Sequence, residues 1–363
     1  MSDVNLGGDV QAVDELHRRY LLITERMRGV IVGQEAVIEQ LIVALLCRSH
    51  CILEGVPGLA KTLMVSTLAS LLNQTFRRIQ FTPDLMPSDI TGTDILEEDR
   101  TTGKRVFRFV KGPLFGNMIL ADEINRTPPK TQSALLESMQ ERQLTVGGQT
   151  YPLPNPFLVL ATQNPIEHEG TYPLPEAQLD RFMLKIRVDY PTREQEIAIT
   201  KQATTTYSSE TGQVLTIEEL LSMQDLVRKT PVGDHVYEFA VDLVRKSRPA
   251  GKNDGFISEM VTWGAGPRAS VFLLLAAKAR ALLQGRYHAT TEDVIAMALP
   301  VLRHRLIPSF NAEAAGQTSD TIITRLVEQL APQQQRTTAS RTAGRPISEI
   351  QPDRAEQLGS FRK

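Results

Sequence analysis

Apolar positions recur along this chain with two different periods, and the places where the period changes divide it. From Val13 to Val30, Leu16, Tyr20, Ile23 and Met27 fall at helical spacing, and after Gly33 a second helical face carries Val37, Ile38, Leu41, Ile42 and Leu45. Short apolar runs then alternate with helical ones. Strands are predicted at Cys51–Glu54, Arg77–Phe81, Met118–Ala121, Phe157–Thr162 and Met183–Val188, with helices at Lys61–Leu72 and Thr131–Gln140. Apolar strand cores separated by helices predict an α/β fold, a parallel sheet covered on both faces, with its crevice at the carboxyl ends of the strands.

Beyond Asp189-Tyr190-Pro191 the strand pattern stops. Only helical patterns follow, at Arg193–Thr204, Ile217–Arg228, Val236–Arg245, Arg268–Leu283 and Glu292–Leu302. Two carry start signals: Thr216-x-x-Glu219 behind the staple residue Leu215, and Thr290-x-x-Asp293. The expected organisation is a loose N-terminus at 1–12, an α/β domain at 13–190, a small all-helical lid at 191–310 and a C-terminal extension at 311–363. From about Ala331 that extension is rich in Gln, Thr, Ser, Arg and Pro and reads as a disordered tail, a candidate interaction segment.

Composition narrows the class. At 363 residues the chain has room for about two domains with real cores. Its 40 Lys and Arg against 42 Asp and Glu give a net charge of −2, which argues against broad attraction to nucleic acid or an anionic membrane. No apolar run approaches the ~20 residues that cross a bilayer, no leader is evident, and two cysteines make no disulfide framework, so a cytoplasmic protein is expected. Cys47, His50 and Cys51 form one compact group, but a structural zinc needs a second pair of ligands; a helix end and a buried strand start explain them better.

The chemistry begins at Gly55-Val56-Pro57-Gly58-Leu59-Ala60-Lys61-Thr62, followed by Leu63, between an apolar strand and a helix. A triphosphate needs inward-turned N–H groups, a helix N-terminus, a mobile ammonium and a hydroxyl for Mg²⁺. Gly55 and Gly58 permit the turn, Lys61 would reach the β and γ phosphates, and Thr62 would hold the metal. The strict motif has Gly where Ala60 stands, and Ala is expected to be tolerated there with a helical φ. Met118 to Ala121 leads into Asp122-Glu123, a strand ending in two acids, the first suited to Mg²⁺ and the second to the attacking water. Phe157 to Thr162 leads into Gln163-Asn164, which puts an amide at a third strand end.

Three longer segments are distinctive: Leu120-Ala121-Asp122-Glu123-Ile124-Asn125-Arg126, Ala161-Thr162-Gln163-Asn164-Pro165, and Tyr172-Pro173-Leu174-Pro175-Glu176-Ala177-Gln178-Leu179-Asp180-Arg181-Phe182. Together with the loop, they resemble the MoxR family of AAA+ ATPases over roughly residues 15 to 310. The resemblance implies ATP and Mg²⁺ as cofactors, nucleotide binding at Gly55 through Thr62, metal binding at Thr62 and Asp122, and water activation by Glu123. Asn164 matches sensor 1, Arg181 the finger that acts on a neighbouring subunit's ATP, and Arg268, in Gly264-Ala265-Gly266-Pro267-Arg268, sensor 2. Val32 and Ile31 stand where such proteins hold adenine. Alternatives remain open: Arg181 could pair with Asp180 or Glu176, Arg126 is a rival finger, and Arg268 could pair with Glu259. Arg303-His304-Arg305 is expected simply to oppose a helix dipole.

Two insertions also resemble the family. One includes Val106 to Val110; the other, Leu144 to Tyr151, is a hairpin on a Gly147-Gly148 turn. In related rings these elements face the pore or the client. The expected protein is a ring-forming, hexameric, Mg²⁺-dependent ATPase that remodels protein clients, with von Willebrand factor A domain proteins as partners. A Mg-chelatase-like subunit or a nucleic-acid motor is the alternative, the latter weakened because residues 144 to 151 carry no charge. A nucleotide-gated scaffold is a further one.

Overall fold

The structure is a computed structural model that describes residues 6–98, 105–164, 170–205, 212–249 and 255–330. Helices α1 (Leu6–Arg28) and α2 (Glu35–Leu46) precede β1 (Cys51–Glu54), α3 (Lys61–Leu71), β2 (Phe76–Gln80), α4 (Pro87–Thr91), β3 (Gly92–Glu98) and β4 (Arg105–Lys111). Next come β5 (Met118–Asp122), α5 (Pro129–Glu141), β6 (Gln143–Val146), β7 (Gln149–Pro152), β8 (Leu158–Gln163), α6 (Glu176–Leu179) and β9 (Leu184–Arg187). The second half holds α7 (Arg193–Thr204), α8 (Ile217–Lys229), α9 (Asp234–Lys246), α10 (Gly255–Met260), β10 (Val261–Trp263), α11 (Pro267–Leu283), α12 (Thr291–Leu302), β11 (Ile307–Pro308) and α13 (Phe310–Ala314). Residues 319–330 form a last helix.

The main sheet has the order β2-β5-β8-β1-β9, and every neighbouring pair is parallel. Its inner strands β5, β8 and β1 are apolar on both faces. Leu53, Leu120 and Leu160 join one core with α1, α2, α3 and the lid helices, while Ile52, Ile119 and Val159 join another with α5. The register sets Gln80 beside Asp122 and Glu54 beside Gln163, so the carboxyl ends line up along one edge.

Several expectations need correction. The first helix starts at Leu6, inside the stretch expected to be loose. The lid is not purely helical: β10 and β11 pair antiparallel within it. Helical chain also continues past 310, and Ile322, Ile323, Leu326 and Leu330 are buried in the main core. The tail beyond Ala331 lies outside the described residues.

The two insertions are hairpins. In the first, β4 pairs antiparallel with β3, a strand the apolar pattern did not announce; Phe107 is 78% exposed there. In the second, Gly147 and Gly148 take φ of 58° and 80°, the left-handed turn that their sequence predicts. The hairpins are pressed together: the Phe109 ring stacks on Tyr151 at 4.3 Å, and Gly147 meets the Asp94 carboxylate with no room for a Cβ.

Arg303, His304 and Arg305 do more than oppose a dipole. They fasten the lid to the segment Asp180–Lys185: Arg305 donates to the Asp180 carboxylate at 2.7 Å and to the carbonyls of Phe182 and Met183 at 2.6 and 3.1 Å. His304 Nε2 meets the Phe182 carbonyl at 3.0 Å, and Arg303 donates to Lys185 O at 3.2 Å and to Asp320 at 3.1 Å. Arg305 is 6% exposed, and burial pushes its pKa down to about 10, with Asp180 opposing the shift. A local reading of the helix end missed this because the partners in Asp180–Lys185 lie more than 100 residues away.

Cys47 and Cys51 are buried, Cys47 donating its thiol to Leu275 O at 3.3 Å, and no metal-ligand cluster exists among the described residues. Nor is any described helix long and apolar enough to cross a membrane. His50 is a core crosslink: its Nδ1 accepts the Val159 N–H at 2.9 Å and its Nε2 donates to Met139 O at 3.2 Å. Burial lowers its pKa to about 4, well below the usual value near 6.5. The unfolded chain therefore binds a proton that the folded chain refuses. His50's contribution is complete above pH ~6.5 and is lost as pH falls toward 4, about 3 kcal/mol in all. Urea titrations between pH 7 and 4 are expected to show this loss, and His50→Gln to flatten the profile in that window.

Candidate nucleotide-binding site

The loop between β1 and α3 is shaped by close contacts. Gly55 N–H lies 3.5 Å from Gln163 O, and a Cβ on Gly55 would stand 2.6 Å from the Val188 carbonyl, so only glycine fits. Gly58 has φ +87°. Ala60 has φ +54° and ψ 22°, left-handed rather than the helical φ expected. This is the conformation for which the strict motif supplies glycine, and an alanine there costs about 1 kcal/mol.

Lys61 opens α3 with its ammonium folded onto Gly55 O at 2.5 Å. Burial lowers its pKa, while Asp122 and Glu123 act in the opposite direction, so the cation lies in the field of both acids. Thr62 follows in the same turn, partly buried.

The two acids are held by neighbours that motif reading missed. Asp122 takes two bonds on Oδ2 from Arg78 of β2, at 3.1 and 2.6 Å, and one on Oδ1 from the Thr162 hydroxyl at 2.6 Å. The same hydroxyl accepts the Glu123 N–H at 2.8 Å. Thr162 thus couples both acids through one oxygen. Glu123 sits at φ +56°, and its Oε2 accepts from Gln80 at 2.8 Å and from Arg126 at 3.0 Å. Arg126 is therefore engaged with Glu123 of its own chain. Asn164 stands just past β8, 7% exposed, one strand from the loop. The available signal for Thr162 was a polar residue at the end of an apolar strand.

A cavity of about 340 Å³ opens beside the loop, lined by Ile31, Val32, Leu59, Ala60 and Leu63 and closed by Ile199 of α7. Its size and apolar walls suit a nucleoside, with Gln34 and Gln202 as polar groups at the wall. Val32 lines this cavity, and α7 is a contributor that the sequence did not announce.

Arg181 and Arg268 do not line this cavity. Arg181 faces another, of about 300 Å³, with Glu137 and Gln140 of α5, and its guanidinium pairs with neither Asp180 nor Glu176. Arg268 pairs not with Glu259 but with Asp180 Oδ2, at 3.0 Å. The fold thus gathers Lys61, Thr62, Asp122, Glu123 and Asn164 at one edge and leaves the two arginines outside it.

The strand order, the loop and the helical lid define an AAA+ fold of the P-loop ATPases. The profile of the "ATPase family associated with various cellular activities (AAA)" matches residues 50–184, and that of the "AAA lid domain" matches 256–326. The chain is 45% identical to the Chaperone MoxR1 of Mycobacterium tuberculosis, over 90% of this chain and 85% of that protein. It is 31% identical to the Protein MoxR of Paracoccus denitrificans, over 82% and 91%. A crystal structure of a Cytophaga hutchinsonii protein proposed to be an ATPase superposes with a TM-score of 0.82 at 40% identity, covering 89% of this chain and 97% of that one. The chain belongs to the MoxR family of AAA+ ATPases.

Two substitutions follow from this geometry. Ala60→Gly relieves the left-handed alanine and is expected to raise unfolding free energy by about 1 kcal/mol in denaturant titrations. Thr162→Val deletes the hydroxyl between the acids and strands a partly buried N–H; a loss of about 2 kcal/mol is expected, largely restored in Thr162→Ser.

Proposed function

We propose that this protein is a Mg²⁺-dependent ATPase working as a ring, a hexamer, that remodels protein clients. The observation that carries this reading is the Asp122-Glu123 pair, fixed by one Thr162 hydroxyl and set in the field of Lys61. ATP places its nucleoside against Val32 and Leu63 and its phosphates in the loop Gly55 to Thr62, whose residues other than Pro57 offer backbone N–H groups. Thr62 and Asp122 offer the hard oxygen donors that Mg²⁺ prefers, and the ion would neutralise charge on the β and γ phosphates. Glu123, steered by Gln80, accepts a proton from the attacking water while Asn164 orients it.

Arg181 is the finger acting on the next subunit. In support, it makes no ion pair among the described residues and faces a surface cavity, whereas Arg126 is engaged with Glu123. Arg268 serves as sensor 2. The client reading draws on the relative named a chaperone and on the first hairpin, where Leu96 and Phe107 are exposed among charged side chains. Client proteins with von Willebrand factor A domains are the partners proposed. The second hairpin's uncharged turn disfavours a nucleic-acid motor.

ATPase rate per subunit, measured against protein concentration, is expected to rise with assembly and to vanish in Glu123→Gln while ATP binding persists. Arg181→Ala is expected to lower turnover about a thousandfold with binding nearly intact. Lost binding with normal turnover per bound site would sink the finger assignment.

A further inference from the structure

Helix α7 lies along the segment Gly29–Gly33 and touches it at two points about two turns apart. At its start the Gln195 side chain, which accepts the Thr192 N–H at 2.8 Å, occupies the place where a Cβ on Gly33 would stand. Near its end the Gln202 side-chain amide donates to Gly29 O at 2.7 Å. Ile199, Gln202 and Ala203 fall on one helical face, and all three line the cavity beside the loop. Among the described residues the polar side chains of that wall are Gln34 and Gln202, and each turns its nitrogen to a backbone carbonyl, Gln34 to Asp189 O at 3.2 Å. A carbonyl can only accept, so the nitrogen must face it and the end turned away is Oε1, an acceptor. Of the two, Gln202 is the better fixed, because its bond is shorter and part-buried while that of Gln34 is exposed.

We infer that Gln202 is the residue that selects the base, its Oε1 accepting a hydrogen bond from the exocyclic amine of adenine. The inference rests on the reading of this cavity as the nucleoside site. A nucleotide whose phosphates lie in the loop has its base against the remaining wall, which Val30 to Val32 and α7 supply. A purine with a carbonyl in place of the amine, such as hypoxanthine or guanine, sets oxygen against oxygen there and leaves an acceptor without a donor. The base is thereby read by the first helix after the sheet, and the phosphates by the loop after β1.

The test is equilibrium affinity for ATP and for inosine triphosphate in the Glu123→Gln background, where ATP is not consumed. Adding Gln202→Met keeps the length of the side chain and removes the acceptor. It is expected to lower the ratio of ATP to inosine triphosphate affinity about three- to tenfold, the size of one neutral hydrogen bond. A merely structural role would weaken both nucleotides alike, and an unchanged ratio overturns the inference. So does a ratio that falls in Gln34→Met and not in Gln202→Met. Purine riboside triphosphate, which lacks the amine, is expected to bind the chain with Gln202 intact about three- to tenfold less tightly than ATP. Equal affinity for those two overturns the inference even should Gln202→Met not fold. Failure of the Glu123→Gln chain to bind any of the three nucleotides would instead overturn the ATPase reading.

Discussion

Arg305 is a cation nearly cut off from water, and the junction between the two halves of the molecule is built to tolerate it. A buried guanidinium must have its donors satisfied or the desolvation cost is several kcal/mol. Here the donors go to Asp180, Phe182, Met183 and Val301, with the Phe272 ring 5.0 Å from the guanidinium carbon. Because those acceptors belong mostly to the short run before β9, the lid cannot leave without unpairing them. The same run joins the Arg181 turn to β9, the edge strand of the sheet beside β1. A lid fixed this way stays registered with the sheet, so the cavity between Val32, the loop and α7 keeps its shape.

What could be read from the chain beforehand was what is local. The start at Thr216 is a capping box because Glu219 lies three residues on, and both halves form; at Thr290, the weaker cap, only the Asp293 carboxylate reaches back to accept the Thr290 N–H, at 2.9 Å. The Gly147-Gly148 turn and the apolar strands were legible for the same reason. By contrast β10 and β11 are short, and β3, seven residues long, is exposed at every position but Gly92; all three are defined by partners rather than by pattern. Residues 319–330 were placed in an extension because Ile322, Ile323, Leu326 and Leu330 show as a buried face only once the lid is present.

The site divides along the same line. Lys61, Thr62, Asp122, Glu123 and Asn164 stand in words whose spacing encodes their proximity. Thr162 stands in such a word too, but its role does not show there, and Arg78 and Gln80 stand in none, since each of the three reaches the acids across a strand register that no single segment contains. Ala60 was misjudged in conformation because a motif records which residue is allowed and not the φ it must adopt. Arg268 and Arg181 were legible as residues of interest, but their partners depend on how the lid meets the sheet.

The stacking of Phe109 on Tyr151 has a mechanical consequence. Tyr151 belongs to β7, and only five residues separate the end of β7 from the start of β8, the strand that carries Thr162. A pull on the first hairpin is passed to the second through two flat rings in contact, and from there along covalent backbone into the sheet. The two hairpins and the hydroxyl shared by the two acids thus lie on one continuous path of ring contact and covalent backbone, from the surface to the crevice.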